Sequence, residues 1–477
     1  MRTGFGTTVL VGLTPLLIAA SAVAVPPTPA PPPSVGPDVV MTGIGTGGIG
    51  NNFGDVNNTG VSTNGVVGAI TAFSVQTVSC NIGNAPVPWF ADTNQHPVFG
   101  VQIYRLRIVD GAGRFEQIGM NWLKHGFCGD DFARCTDLVD PPQLPVTQPD
   151  CDGLGPYRTD IYGAALNGSQ ANLGPRSEVN PWTGGFAFPF VLGFGQTGDA
   201  VFKRVQTPSA ALLTGEQYFL EAVVVSPDEP AANRMNNYSH RAAAWSGSVL
   251  TLSGPTFAMQ PALAAWSSLD PAVQVSTAEP LGGVDGRVML GSRATQIAPG
   301  AWRYEYALLN MNLDAAIGSF GVPVATGVLV SAQGFTDVAY HSGDVFDGTD
   351  WATVRTPGAV EWSTATFAEN PNANALRWGT LYNFRFDCAH PPVPGSVTVG
   401  LFKSGGAALL AAQVPSTPPC SGDLNGDNAT NTADLVLLLV SFGQPVDAGC
   451  CGDLNGDSVV NTADLVLLLA AFGCAGS

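Results

Sequence analysis

The chain has 477 residues, 37 of them acidic and 19 basic, which leaves a net charge of −18. That balance disfavours a nucleic-acid partner, whose phosphates call for a surplus of Lys and Arg. Gly and Pro together make up about a fifth of the chain, short of the disordered range, while charged residues reach only 12%, about half the usual fraction. The composition points away from a helix-rich cytosolic enzyme and toward a β-rich acidic protein of two or three domains.

Arg2 precedes an apolar stretch from Val9 to Ala20, and Ala22-Val23-Ala24 offers the small-x-small pattern of a cleavage site, so residues 1–24 read as a signal peptide. No segment reaches the roughly 20 apolar residues of a membrane span, so membrane insertion is not expected and the protein should be secreted, extracellular or at a cell surface. Residues 25–37 hold seven prolines and read as an extended spacer. Nine cysteines in an exported chain argue for disulfides, and the odd count leaves at least one unpaired.

Residues 38–248 show short strands separated by Gly, Asn, Asp and Pro clusters. Tyr104, Leu106 and Ile108 alternate with Arg105 and Arg107; the chain turns at Asp110-Gly111 and runs back through Arg114 to Met120, a hairpin signature. Tyr218 to Val225 is apolar throughout except for Glu221, and Cys128 to Cys151 reads as a long disulfide-held loop. Residues 249–275 are taken as a connecting segment. In 276–413, Trp302, Tyr304, Tyr306 and Leu308 point one way while Arg303 and Glu305 point the other, and Tyr382, Phe384, Phe386 and Cys388 repeat the pattern. Period two predicts half-buried strands, and the fold class expected is mainly β: an antiparallel β-sandwich-like body of one or two domains. Residues 414–419 form a second, Pro/Thr-rich linker to a small all-α C-terminal domain, 420–477.

That domain carries an internal repeat of period 30. Asp423 to Gly443 and Asp453 to Gly473 match at 16 of 21 positions. Side-chain oxygens fall at loop positions 1, 3, 5, 9 and 12, which are Asp423, Asn425, Asp427, Asn431 and Asp434 in the first copy and Asp453, Asn455, Asp457, Asn461 and Asp464 in the second. With the backbone carbonyl of position 7, Ala429 or Val459, this spacing suits an oxygen shell for one Ca²⁺ per loop, two ions in all, better than the tighter octahedron of Mg²⁺. Position 6, commonly Gly, is Asn428 or Ser458, and position 12 is Asp instead of the longer Glu. The tail from Cys420 to Ser477 has seven Asp and no Glu, Lys or Arg, so two divalent ions would offset much of its charge, and its folding is expected to need calcium. An apolar helix is expected after each loop, from Leu435 to Phe442 and from Leu465 to Phe472.

Two loop-helix repeats behind a Pro/Thr linker resemble the type I dockerin family over 58 of 477 residues. The resemblance implies docking onto a cohesin-like protein, with loop positions 10 and 11, here Thr432, Ala433, Thr462 and Ala463, as partner contacts. The sequence departs from that family where basic residues usually follow the loop, since Leu439-Val440 and Leu469-Ala470 stand there. Stretches such as Trp122 to Phe127 resemble a group of secreted bacterial proteins, which implies no particular activity.

Dockerin-like tails are familiar on polysaccharide-degrading enzymes, so the resemblance sets a carbohydrate-active hydrolase, with an extracellular polysaccharide as partner, beside a non-catalytic attachment protein. A glycosidase needs two facing carboxylates; Glu178 and the cluster His341, Asp344, Asp347, Asp350 and Trp351 are the places to look. Both read more simply as turns and solvated loops, and the catalytic residues stay unassigned, so the non-catalytic reading is preferred. His125, Cys128, Cys135 and Cys151 can be drawn as a zinc site, but disulfides are favoured in an oxidising compartment. Gly45, Gly47 and Gly50 match a dinucleotide fingerprint without the helix it requires. No G-x-S-x-G elbow occurs.

Overall fold

The computed structural model describes residues 34–45, 60–129, 131, 133–135, 151–279, 284–341, 343–417, 420–446 and 452–475. The expected signal peptide, most of the Pro-rich spacer, much of the Cys128–Cys151 loop, Gly47, Gly50, Cys450 and Cys451 lie outside them. The body is mainly antiparallel β, as its alternation predicts, and its sheets stack in four layers.

The first layer is a four-stranded cover sheet that includes Val39–Ile44, Thr77–Asn81 and Arg158–Tyr162. It packs on the second layer, a ten-stranded sheet built around Val98–Val109, Ala112–Met120 and Gln217–Val225. Met41 and Ile44 of the cover meet Phe99, Val101, Ile103, Leu220 and Val224 of the large sheet. The hairpin between Val109 and Ala112 turns on Asp110 and Gly111, both at positive φ, as a two-residue turn matched to strand twist requires.

The third and fourth layers are five-stranded sheets. The inner one contains Val288–Ala298, Ala301–Asn310 and Thr380–Cys388, and the outer one Ile317–Pro323, Ala359–Ser363, Pro392–Leu401 and Ala407–Pro415. Tyr304, Tyr306, Phe384 and Phe386 of the inner sheet interdigitate with Phe320, Trp362 and Val399 of the outer. Phe320 and Phe384 stack with ring centroids 4.3 Å apart.

The expectation of half-buried strands holds for Pro392–Leu401 and Ala407–Pro415 of the outer sheet but needs correction for Ala301–Asn310 of the inner one. The second face of Ala301–Asn310 is covered by the large sheet, so Arg303 and Glu305 are buried, Glu305 to 1% exposure. Tyr104, Phe115 and Phe219 meet Ala307, Leu309 and Leu381 across this seam. Arg114, Glu305, Gln117 and Asn383 on the seam are paired, as burial demands. Arg114 holds Glu305 with two hydrogen bonds, 3.0 Å from Nε and 2.7 Å from Nη2. Gln117 Oε1 accepts from Leu381 N at 2.7 Å, and Asn383 Nδ2 donates to Phe115 O at 2.8 Å.

Residues 249–275 are not a bare connection. Leu250–Phe257 forms the edge strand of the large sheet, and the short helix Leu263–Leu269 places Leu263 and Trp266 in the seam core. Val414 and Pro415 of the expected second linker complete an outer-sheet strand. Cys80 pairs with Cys135, Cys128 with Cys151, and Cys420 with Cys474; Cys388 is free and buried. The three cysteines drawn as zinc ligands are therefore consumed in disulfides. No helix among the described residues is long and apolar enough to cross a membrane. The disulfides fit an extracellular or surface protein.

Candidate metal centres in the C-terminal repeat

Each repeat folds as a tight loop followed by one helix. The helices, Thr432–Val440 and Thr462–Ala470, start three residues earlier than the apolar pattern suggested. Their start is set by a capping box: Asn431 Oδ1 accepts from Ala433 N at 2.8 Å while Asp434 Oδ2 accepts from Asn431 N at 2.9 Å. Asn461 and Asp464 repeat the arrangement at 2.7 and 2.8 Å.

The loops gather their carboxylates inward. Within Asp423, Asp427 and Asp434 one oxygen from each lies within 4.8 Å of the others, and Asp453, Asp457 and Asp464 form the same triad. Backbone amides hold each one in place. Asp423 accepts from Gly426 N at 2.8 Å and Asn428 N at 2.9 Å, and Asp434 Oδ1 accepts from Leu424 N at 2.7 Å. Asp453 and Asp464 repeat these contacts with Gly456, Ser458 and Leu454. Asn428 and Ser458 take φ of 66° and 69°, so the sharp turn at position 6 is made without glycine.

Burial separates the ligand candidates. Asp423, Asp434, Asp453 and Asp464 are buried, whereas Asp427 and Asp457 are exposed. Burial pushes the Asp423 carboxyl up, with the Gly426 and Asn428 amides pulling it back. The Asn425 amide holds Asp427 low, and Asn455 does the same for Asp457. Three converging carboxylates in a tail without any Lys or Arg are a donor set that a hard divalent cation balances, so the residues present fit a metal ion. Asn425 and Asn455 turn their oxygens to the amides of Asp427 and Asp457, at 3.0 Å each. Asn431 and Asn461 spend theirs on the helix caps, so contact with an ion through water suits them. The carbonyl of Val459 accepts from Asn461 Nδ2 at 3.1 Å, and Ala429 bridges to Ala475 at the end of the other repeat.

The two repeats embrace each other. Pro445 bridges to Val459, and Leu424, Leu438, Val460 and Leu468 form a shared small core. The loops lean on the body, with Gly426 against Ala389 and Gly456 against Pro357. The helices face away from it: Thr432, Ala433, Thr462 and Ala463 are exposed on the first turns, next to Val436 at 60%, Val440 at 76% and Val466 at 63% exposure. These apolar outward residues were legible as a run of Leu and Val, but which of them face outward was not.

The body candidates fall differently. Glu178 spends both oxygens on the amides of Val191 and Leu192, 2.7 Å each, and so clamps a loop. Asp347 accepts from Asn370 Nδ2 at 2.6 Å, Asp350 is exposed, and Trp351 belongs to the core between the inner and outer sheets. His341 is buried with neither ring nitrogen partnered among the described residues, and burial takes its pKa down to about 3. Asp344 lines a cavity at the seam with Arg176 and Trp378. His125 packs against the rings of Phe186 and Phe190.

No family model and no curated protein matches the chain. Among solved structures, it is similar to the serine-rich repeat adhesion glycoprotein Srr1 from Streptococcus agalactiae, at 7% identity over 73% of this chain and 89% of that one. The TM-score is 0.18, and a likeness at that level carries no argument about function.

Proposed function

We propose that this is a non-catalytic extracellular protein whose C-terminal repeat binds two Ca²⁺ ions, one in each loop, and attaches the β-sandwich body to an extracellular or cell-surface assembly. The observation that carries the reading is the duplication itself. Two carboxylate triads of the same geometry sit under two helices that turn the same apolar residues to solvent. A module braced only for its own stability has no need to keep valines exposed on both helices, and such faces are what a partner buries. In this reading Thr432, Ala433, Thr462 and Ala463, with Val436 and Val466, are contacts to a cohesin-like partner.

The test is a calorimetric titration of calcium into EGTA-treated full-length protein. Two ions should bind, and Asp434→Ala and Asp464→Ala should each remove one. Surface attachment should then hold in calcium, be released by EGTA, and be lost in calcium by Val436→Glu combined with Val466→Glu. Absence of calcium binding would end the reading at its root.

A further inference from the structure

A cavity of about 360 Å³ opens at the end of the seam between the large and inner sheets, a size within the range of small-molecule sites. Arg176 and Ser177 line it from one side and Asp344, Phe346, Arg377 and Trp378 from the other. Its polar groups are unevenly satisfied. Arg176 is 6% exposed; its Nε donates to Asn121 O at 3.0 Å and its Nη2 to Gln102 Oε1 at 2.8 Å, but Nη1 has no acceptor among the described residues. The wall beside Nη1 is Gly379, at φ +71°, where a Cβ would stand 2.4 Å from that nitrogen. Arg377 lies over the Phe346 ring, 3.8 Å from its centroid, and donates through Nη2 to Pro371 O at 2.9 Å, while its Nε is also buried without an acceptor.

Charge points the same way. Lys403, at the rim, is paired with Asp314 at 3.0 Å, which leaves two guanidiniums facing one carboxylate. That carboxylate, Asp344, takes only a long 3.4 Å contact from Ser177 Oγ, and burial pushes its pKa up to about 6 despite the pull of Arg176, Ser177 and Arg377. A cationic pocket is unexpected in a chain of net charge −18. Arg176 and Arg377 both line the cavity, and a carboxylate is the acceptor that guanidiniums bind best. Trp378 and Phe346 add flat apolar faces for the rest of a ligand.

We propose that the seam cavity binds a small organic carboxylate carried on a ring with an apolar face, its carboxylate toward Arg176 and Arg377 and its ring against Trp378 and Phe346. An aromatic acid and a sugar acid share that chemistry. The site is independent of the calcium repeat.

Full-length protein is titrated calorimetrically with benzoate, glucuronate, their neutral counterparts benzyl alcohol and glucose, and inorganic phosphate. One of the acids should saturate a single site and bind at least about tenfold more tightly than its neutral counterpart; whichever acid does so identifies the source. Arg377→Gln should weaken it by a similar factor. Val345→Trp, a rim substitution at a half-exposed position that leaves the guanidiniums in place, should abolish it without lowering the melting temperature. The proposal is overturned if neither acid saturates, if the neutral compounds or phosphate bind as well as the acids, or if Val345→Trp leaves binding unchanged.

Discussion

Arg114 and Glu305 are 191 residues apart in sequence and meet in the seam with side-chain exposures of 4% and 1%. Burial raises the Glu305 carboxyl, and Arg114 is the first group that counters it. Such a pair adds little over an apolar replacement, yet stranding one member is expensive, on the order of 3–5 kcal/mol. Glu305→Leu alone should therefore lower the urea unfolding free energy by about that much, because it strands Arg114 near Arg385. Adding Arg114→Met should recover most of the loss, and failure of the double variant to recover would mean that the pair is needed for seam geometry. The same residues show where reading by period stops. Alternation placed Glu305 opposite Tyr304 and Tyr306, but period two says only that two faces differ. Whether the second face meets water or another sheet depends on a partner far along the chain. Tyr218 to Val225 carried the better clue, since a run apolar on both faces belongs to a strand covered on both sides.

At the scale of elements, the tail was the most legible part, because its information is local. Ligand spacing, the turn at position 6 and the apolar helices all lie within 21 residues. What local reading missed is that Asn431 and Asp434 serve two tasks, cap and candidate ligand, which moves the helix start back to Thr432. The Cys420–Cys474 bond, which the cysteine count alone did not assign, ties the start of the first repeat to the end of the second across 54 residues. Closing a loop of that length removes unfolded-state entropy worth about 4 kcal/mol in the chain-entropy account. The disulfide and the ions should therefore share the stabilisation of the tail. Limited proteolysis checks this. Trypsin has no site between Cys420 and Ser477, so chymotrypsin is the appropriate probe. The parent protein in EGTA should be cut slowly in the tail, and Cys420→Ser with Cys474→Ser should be cut rapidly in EGTA but resist in excess calcium. Rapid cutting of the double variant in calcium as well would show that the ions cannot hold the tail without the bond.

For the whole molecule, the β class and the sandwich were readable, whereas the stacking of four layers was not, because it rests on contacts such as Gln117 to Leu381 that join distant strands. That stacking buries ionisable groups, and their titration sets the pH range in which the body holds together. All five histidines are shifted down by burial, His125 and His341 to about 3. A histidine with a depressed folded pKa contributes stability above its ordinary value near 6.5, and that contribution is lost as pH falls toward 3. Two buried carboxyls act from the other side. Glu221, which accepts from Tyr104 and Gln102, and Glu229, which accepts from Val39 and Asn237, are raised from 4.5 to about 7 and about 8 by burial. A raised carboxyl contributes most below 4.5, and its contribution fades as pH rises through 7 and 8. The two trends oppose each other between 4.5 and 6.5, so unfolding free energy should peak in mildly acidic solution and decline on both sides. Urea unfolding from pH 4 to 9 measures this. Glu229→Gln should flatten the alkaline limb, since Gln keeps an acceptor for Val39 N without a carboxyl that must ionise. A limb as steep in that variant as in the parent would assign the alkaline loss to groups other than Glu229.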